Sequence, residues 1–180
     1  YIEKGYENLL LQSNSFDTTW TKSAVNVTGG QAGYDGTNNA WLLEAVVSTA
    51  ARVEQPISSN VSTLSIYVKA GTTNWMFLNA GTGGSVYFDL ENGVVGSAAS
   101  QNIDNSITSI SNGWYKITSV VPSTTHFRVY PATSNGSLAT AGDNIYIQDA
   151  MLNQGLVAYP YKETTTAPVA GGILEDMPRL

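Results

Sequence analysis

The segment Leu64-Ser-Ile-Tyr-Val-Lys-Ala70 alternates, with Leu64, Ile66 and Val68 on one side of an extended chain and Tyr67 and Lys69 on the other. An apolar period of two, rich in β-branched residues, marks a half-buried strand and decides which side chains can enter a core. Comparable segments recur along the chain with turn residues between them. They are 9–12, 23–27, 41–47, 52–57, 75–79, 114–122, 126–130 and 145–152. Residues 86–95 read as a hairpin closed by Asn92-Gly93, a pair suited to the positive φ angles of a two-residue turn. The longest helix-tolerant stretch, 40–53, fits two strands joined by Ser48-Thr49-Ala50 equally well. Short strands at this spacing predict an all-β fold, a two-sheet antiparallel β-sandwich or a barrel. Leu64, Ile66, Val68, Ile117, Phe127 and Val129 are expected between the sheets.

A chain of 180 residues can bury one good core. The sandwich is expected over residues 8–163, after a short lead-in at 1–7. From Thr164 the composition changes to Thr-Thr-Thr-Ala-Pro-Val-Ala-Gly-Gly, that of a linker. Residues 164–180 are therefore expected as an extended arm leading to a neighbouring domain or subunit, which would cover Ile173, Leu174, Met177 and Leu180. The opening residues enter mid-pattern, as a piece of a longer polypeptide does, and no signal peptide is visible.

Charge narrows the function classes. The net charge is −6 and the eight Lys and Arg residues are scattered, which argues against a nucleic-acid partner and against an anionic membrane surface. No apolar run approaches the ~20 residues of a membrane-spanning helix. Without cysteine there are no disulfides and no thiolate metal sites.

Catalysis finds no support either. His126 is the single histidine, and in His126-Phe-Arg-Val-Tyr130 alternation turns it outward, away from Phe127 and Val129. No Gly-x-Ser-x-Gly elbow surrounds a serine. Gly81-Thr-Gly-Gly-Ser85 lacks the helix a phosphate loop requires.

Aromatic residues carry more information. Sugars present C–H faces that stack on rings, while planar polar side chains meet their hydroxyls. If strands 64–70 and 126–130 share a sheet, its open face brings together Tyr67, Lys69, His126, Arg128 and Tyr130. That combination is expected to bind a polysaccharide or glycan, unless a neighbouring chain covers the face. Trp75, on a strand apolar on both sides, belongs either to that groove or to the core.

Five motifs occur in a set order: Asn8-Leu-Leu-Leu-Gln-Ser-Asn-Ser-Phe-Asp17 with Trp20; Ser65-Ile-Tyr-Val-Lys-Ala-Gly71; Tyr87-Phe-Asp-Leu-Glu-Asn-Gly-Val-Val-Gly96; Ser111-Asn-Gly-Trp-Tyr-Lys-Ile117; and Ile145-Tyr-Ile-Gln-Asp-Ala-Met-Leu152. Together they resemble the jelly-roll domains grouped with carbohydrate-binding modules, in particular copies found in bacteriophage tail and virion proteins. The resemblance implies a jelly roll with Trp20 and Trp114 in its core. It also implies a non-catalytic virion module, in a tail or fibre, that binds host-surface or environmental glycans outside the cell, beside other virion subunits. Two alternatives stay open, a purely architectural connector and an accessory module of a polysaccharide-degrading enzyme. Relatives of this kind often hold structural calcium where the first and last strands meet. Asp17 and Asp149 match two of those acids, while Gln148 stands where the pattern often has another. The alternative is that Asp17 caps a turn and Asp149 meets solvent.

Overall fold

The computed structural model describes residues 6–171, and its regular structure there is strand apart from one 3₁₀ turn at Gly81–Gly83. The first sheet has six strands in the order β10 (Asp104–Ser109), β11 (Trp114–Val121), β6 (Ser62–Ala70), β13 (Asn144–Gln154), β4 (Ala40–Ala45), β3 (Val25–Gln31). The second, also of six, runs β2 (Thr21–Ser23), β5 (Arg52–Ser59), β12 (Thr124–Ala132), β7 (Trp75–Asn79), β8 (Ser85–Asp89), β9 (Val94–Ala98). A two-stranded ribbon pairs β1 (Tyr6–Asn8) with β14 (Val169–Gly171). Neighbouring strands are antiparallel throughout, and the fold is the expected β-sandwich.

Between the sheets, the alternation holds. Leu64, Ile66, Val68, Ile117, Phe127 and Val129 are all fully buried, joined by Leu43, Ile145 and Ile147 from one sheet and Val53, Met76, Leu78 and Phe88 from the other. Fully burying each such side chain stabilises by about 1.5–3 kcal/mol, which is what holds two sheets with no cysteine together. Phe16 and Trp20 close one end. The Trp20 indole meets Phe127 edge-on at 5.8 Å between ring centres and donates from Nε1 to the Gln12 carbonyl at 2.9 Å.

Several local expectations need correction. Residues 9–12 are not a strand; β1 precedes them, and their place is set by backbone bonds such as Leu9 N–H to the Leu152 carbonyl. The 86–95 hairpin exists, but its turn has four residues. Asp89 pairs with Val94, only Gly93 takes a positive φ (65°), and Asp89 Oδ1 accepts from the backbone N–H groups of Glu91 and Asn92. Strand β10, rich in Ser, Thr and Asn, carried no sequence signal.

The chain after residue 155 folds back on the N-terminal segment. Tyr159 stacks on Tyr6 with centres 4.4 Å apart. Thr164 is buried, donates from its backbone N–H to Ser13 Oγ, and accepts the Ser13 N–H on its carbonyl. The Gln12 N–H donates to the Thr165 carbonyl at 2.8 Å, and β14 then pairs with β1. Thr164 is therefore docked where an arm was expected to begin. Ile173, Leu174, Met177 and Leu180 lie outside the described residues.

Candidate carbohydrate-binding face

Strand register decides what shares a face. β6 pairs with β11 and β13 in the first sheet, whereas β12 pairs with β5 and β7 in the second. The expectation that Tyr67, Lys69, His126, Arg128 and Tyr130 converge is thereby overturned. Two sheets packed face to face point their outer faces in opposite directions. Tyr67 and Lys69 lie on one side of the molecule; His126, Arg128, Tyr130 and Trp75 lie on the other.

The outer face of the second sheet gathers an aromatic platform. In register, Tyr130 is opposite Phe77 and Phe77 opposite Tyr87; one row along, Ala132 is opposite Trp75 and Trp75 opposite Asp89. Phe77 and Tyr87 stack with centres 4.3 Å apart and planes 28° from parallel, and Phe77 meets Tyr130 at 5.1 Å. Trp75, Phe77 and Tyr87 are half-buried, while Tyr130, next to Phe77 in the same row, is 7% exposed. The Trp75 ring reaches across β8 to β9, where a Cβ on Gly96 would stand 2.7 Å from its Cζ3. The indole can lie over β9 because residue 96 has no side chain.

Charged and polar groups border these rings. Glu54 accepts from Arg52 through Nε at 3.0 Å and Nη2 at 3.1 Å, and from Arg128 Nε as well. The Arg52 hydrogen bonds hold the Glu54 carboxyl below its ordinary range, against the opposing effect of burial. The Arg52 guanidinium also sits 5.8 Å above the Tyr130 ring. Arg128 thus spends Nε on Glu54 while its Nη groups have no hydrogen bond among the described residues. Asn79, opposite Arg128 in register, accepts the Gly81 N–H on Oδ1, and its amide NH₂ has no hydrogen bond among the described residues. His126 ends the row, its Nδ1 3.1 Å from Thr125 Oγ1. Rings to stack on, with fixed donors and the Glu54 carboxylate beside them, are the chemistry a sugar ring and its hydroxyls require.

Sequence reasoning missed Phe77, Tyr87, Arg52, Glu54 and Asn79. The alternation in Trp75-Met-Phe-Leu-Asn79 does separate Trp75, Phe77 and Asn79 from Met76 and Leu78, but with aromatics on one side and aliphatics on the other neither set stood out as the core.

On the opposite side, Tyr67 is not an open platform. The loop after β3 lays Tyr34 over it, ring on ring at 3.8 Å and 9°. Tyr34 is fastened there by its OH, which donates to Asp149 Oδ2 at 2.8 Å, and by its N–H, which donates to the Gln148 side-chain oxygen. Burial, then the Asp149 contact, raises the Tyr34 phenol well above its usual value. Trp114 is buried too, but not in the sandwich core: it pairs with Lys69 in register, opposite in facing to Ile117, and meets Tyr34 edge-on at 6.2 Å. Trp41 faces inward, half-buried against Phe16 and Gly29, donating from Nε1 to the Asn14 carbonyl.

Asp17 and Asp149, the pair expected at a calcium ion, have separate surroundings. Asp17 is exposed, and its backbone carbonyl accepts from Lys22 Nζ. Asp149 is only 8% exposed, so it does not meet solvent; burial pushes its carboxyl up to about 6. Among the described residues no group of three or more His, Cys, Asp or Glu side chains could hold a metal ion, and no helix is long and apolar enough to cross a membrane.

No protein-family model and no curated protein matches the chain. Among solved structures, a mutant of a carbohydrate-binding module of family 29 overlaps 83% of this chain and 92% of its own at 10% identity, with a TM-score of 0.47. A mutant of the family 29 module CBM29-2 complexed with cellulohexaose covers 83% of this chain and 91% of its own at 11% identity, TM-score 0.46. The CBM22-1–GH10 modules of the Clostridium thermocellum xylanase Xyn10B, complexed with xylohexaose, cover 88% of this chain and 30% of their own at 13% identity, TM-score 0.47. At TM-scores below 0.5 these overlaps assign nothing to individual residues of this chain.

Proposed function

We propose that this chain is a non-catalytic glycan-binding module whose site is the outer face of the second sheet. The observation that carries the proposal is the platform of Trp75, Phe77 and Tyr87 beside Arg128, Asn79 and Glu54. Buried aromatics are expected in any sandwich. Three half-buried rings on a face turned away from the core, bordered by groups with free hydrogen-bonding capacity, are what a stacking ligand needs. The ligand class is a neutral polysaccharide or oligosaccharide, and nucleic acid and membrane insertion form no part of the function.

For the setting, the order of the sequence motifs favours a virion tail or fibre outside the cell, with other virion subunits as neighbours. Weak single-site binding would there be raised by multivalent display. An accessory module of a polysaccharide-degrading enzyme would use the same face and differ in what flanks it. A purely architectural module would leave the face without a glycan.

A neutral glycan array followed by titration of Trp75→Ala and Phe77→Ala tests the site. Stacking contributes on the order of 1 kcal/mol beyond area burial, so each variant should bind about fivefold more weakly with little change in Tm. Normal binding by both variants, or an array with no hits, would overturn the proposal.

A further inference from the structure

The outer face of the first sheet carries a groove unrelated to the aromatic platform. Its volume is about 550 Å³, within the range of small-molecule sites at about 300–1,000 Å³. Lys69, Tyr146 and Leu42 form its floor, side by side in register, and Gln31 and Gly71–Thr72 form its rims. The second rim is fixed: the Thr72 N–H donates to Asn144 Oδ1 at 3.0 Å and its hydroxyl donates to the Gly142 carbonyl at 2.8 Å. Residue 71 admits no side chain, since a Cβ there would lie 2.0 Å from Asn144 Oδ1.

The salt bridges among the described residues join Arg52 and Arg128 to Glu54 on the opposite face, and neither Lys69 nor Lys116 takes part in one. Lys116 is diagonal to Lys69 on the same face, at a spacing of about 7–8 Å between such positions. It stands 5.8 Å over the Tyr67 ring, and burial draws its ammonium below the ordinary lysine value. The carboxylates of this side are engaged or set apart. Asp149 accepts from Tyr34, Asp35 accepts from Thr37, Asp104 lies on the outermost strand, and Glu44, opposite Asn144 at the edge of the groove, stands two strands from Lys69 and makes no salt bridge with it. A groove with a tyrosine and a leucine on its floor, and an ammonium with no carboxylate within salt-bridge distance among the described residues, has the features of a site for a sugar that brings its own negative charge.

We propose that this groove is a second carbohydrate site, selective for a uronic acid or other carboxylate-bearing sugar, so that the domain binds glycans through two opposite faces. Lys69 receives the carboxylate, Tyr146 and Leu42 receive the sugar ring, and Lys116 adds long-range attraction. The groove shares no residue with the platform, so either site can fail without the other.

The test is titration of the intact chain with a panel of oligogalacturonate, alginate oligosaccharide and sialyl-lactose, each beside its carboxyl-reduced, neutral counterpart. At least one acidic member should bind more tightly than its neutral form, and its affinity should fall as salt rises from about 50 to about 500 mM. Lys69→Gln should weaken that binding about tenfold and Lys69→Arg should keep most of it, with Tm unchanged in both. Trp75→Ala should leave acidic binding intact while weakening neutral binding. No preference for acid anywhere in the panel overturns the second site, as does acidic binding that survives Lys69→Gln or is lost with Trp75→Ala. Loss of neutral binding alone in Trp75→Ala supports the platform and leaves this groove standing on the acidic arm.

Discussion

Asn8 is fully buried and is bonded in four directions. Its Nδ2 donates to the Lys162 carbonyl at 2.7 Å and to the Ala150 carbonyl at 3.3 Å, while its Oδ1 accepts from the N–H groups of Leu10 and Leu152, each at 3.2 Å. One amide thus joins the N-terminal segment, the last long strand and the returning C-terminal chain. Asn8→Leu keeps the volume and removes all four bonds. Two backbone N–H groups then lose a partner inside the protein, at about 1–3 kcal/mol each. The carbonyls, with two lone pairs, suffer less. The expected loss is about 3–5 kcal/mol, a large share of the roughly 5–15 kcal/mol that stabilises a domain. At about 2–4 °C per kcal/mol for a chain of this size, Tm should fall by roughly 10 °C or more. Asn8→Asp separates donors from acceptors. It still accepts from Leu10 and Leu152 but sets a carboxylate against two carbonyls, so it should be least stable near neutral pH and recover in acid. Calorimetry with parallel urea unfolding reads both variants. A Leu variant within 1 kcal/mol of the parent at unchanged m-value would refute the reasoning, because water or rearrangement would then satisfy the orphaned groups.

The Asp149 carboxyl has a raised value, about 6, chiefly because it is buried. A carboxyl that is harder to ionise when folded favours the folded state in acid, so its contribution should be largest below about pH 4, fall as pH rises toward 6, and be flat above. Asp149→Asn keeps an acceptor for the Tyr34 hydroxyl and suits the positive φ of 55° at this position. It should remove that slope and raise stability at pH 7 by on the order of 2–3 kcal/mol; an unchanged pH profile of Tm would count against the assignment. Gly96→Ala should push the Trp75 ring out of place, since the new methyl would stand 2.7 Å from it. Neutral glycan binding should weaken several-fold while Tm changes by only a few degrees, and unaltered binding would mean that the indole does not need β9 beneath it.

Local alternation, by itself, determined a good deal. Leu64, Ile66, Val68, Phe127 and Val129 point into the core because side chains on an extended backbone must alternate, whatever the strand pairs with. For the same reason Tyr67, Lys69 and Arg128 could be assigned to outer faces; the core position of Trp20, which lies ahead of the first regular strand of its sheet, followed from the motif resemblance and not from alternation. Alternation cannot say which outer face. That was decided by long-range pairing, β6 with β11 and β13, β12 with β5 and β7, between segments far apart in the chain. One consequence is that residues expected to form a single groove stand on opposite sides of the molecule. Another is that Phe77, Tyr87 and Glu54, from three different strands, meet Tyr130 and Arg128 only in the assembled sheet. Tyr34 carries the same lesson from a loop: nothing in its neighbours announces that it will cover Tyr67, because its fastening lies with Gln148 and Asp149, more than a hundred residues away. Period two is a property of one strand's backbone, whereas a face belongs to several strands at once and exists only after their hydrogen bonds have chosen partners.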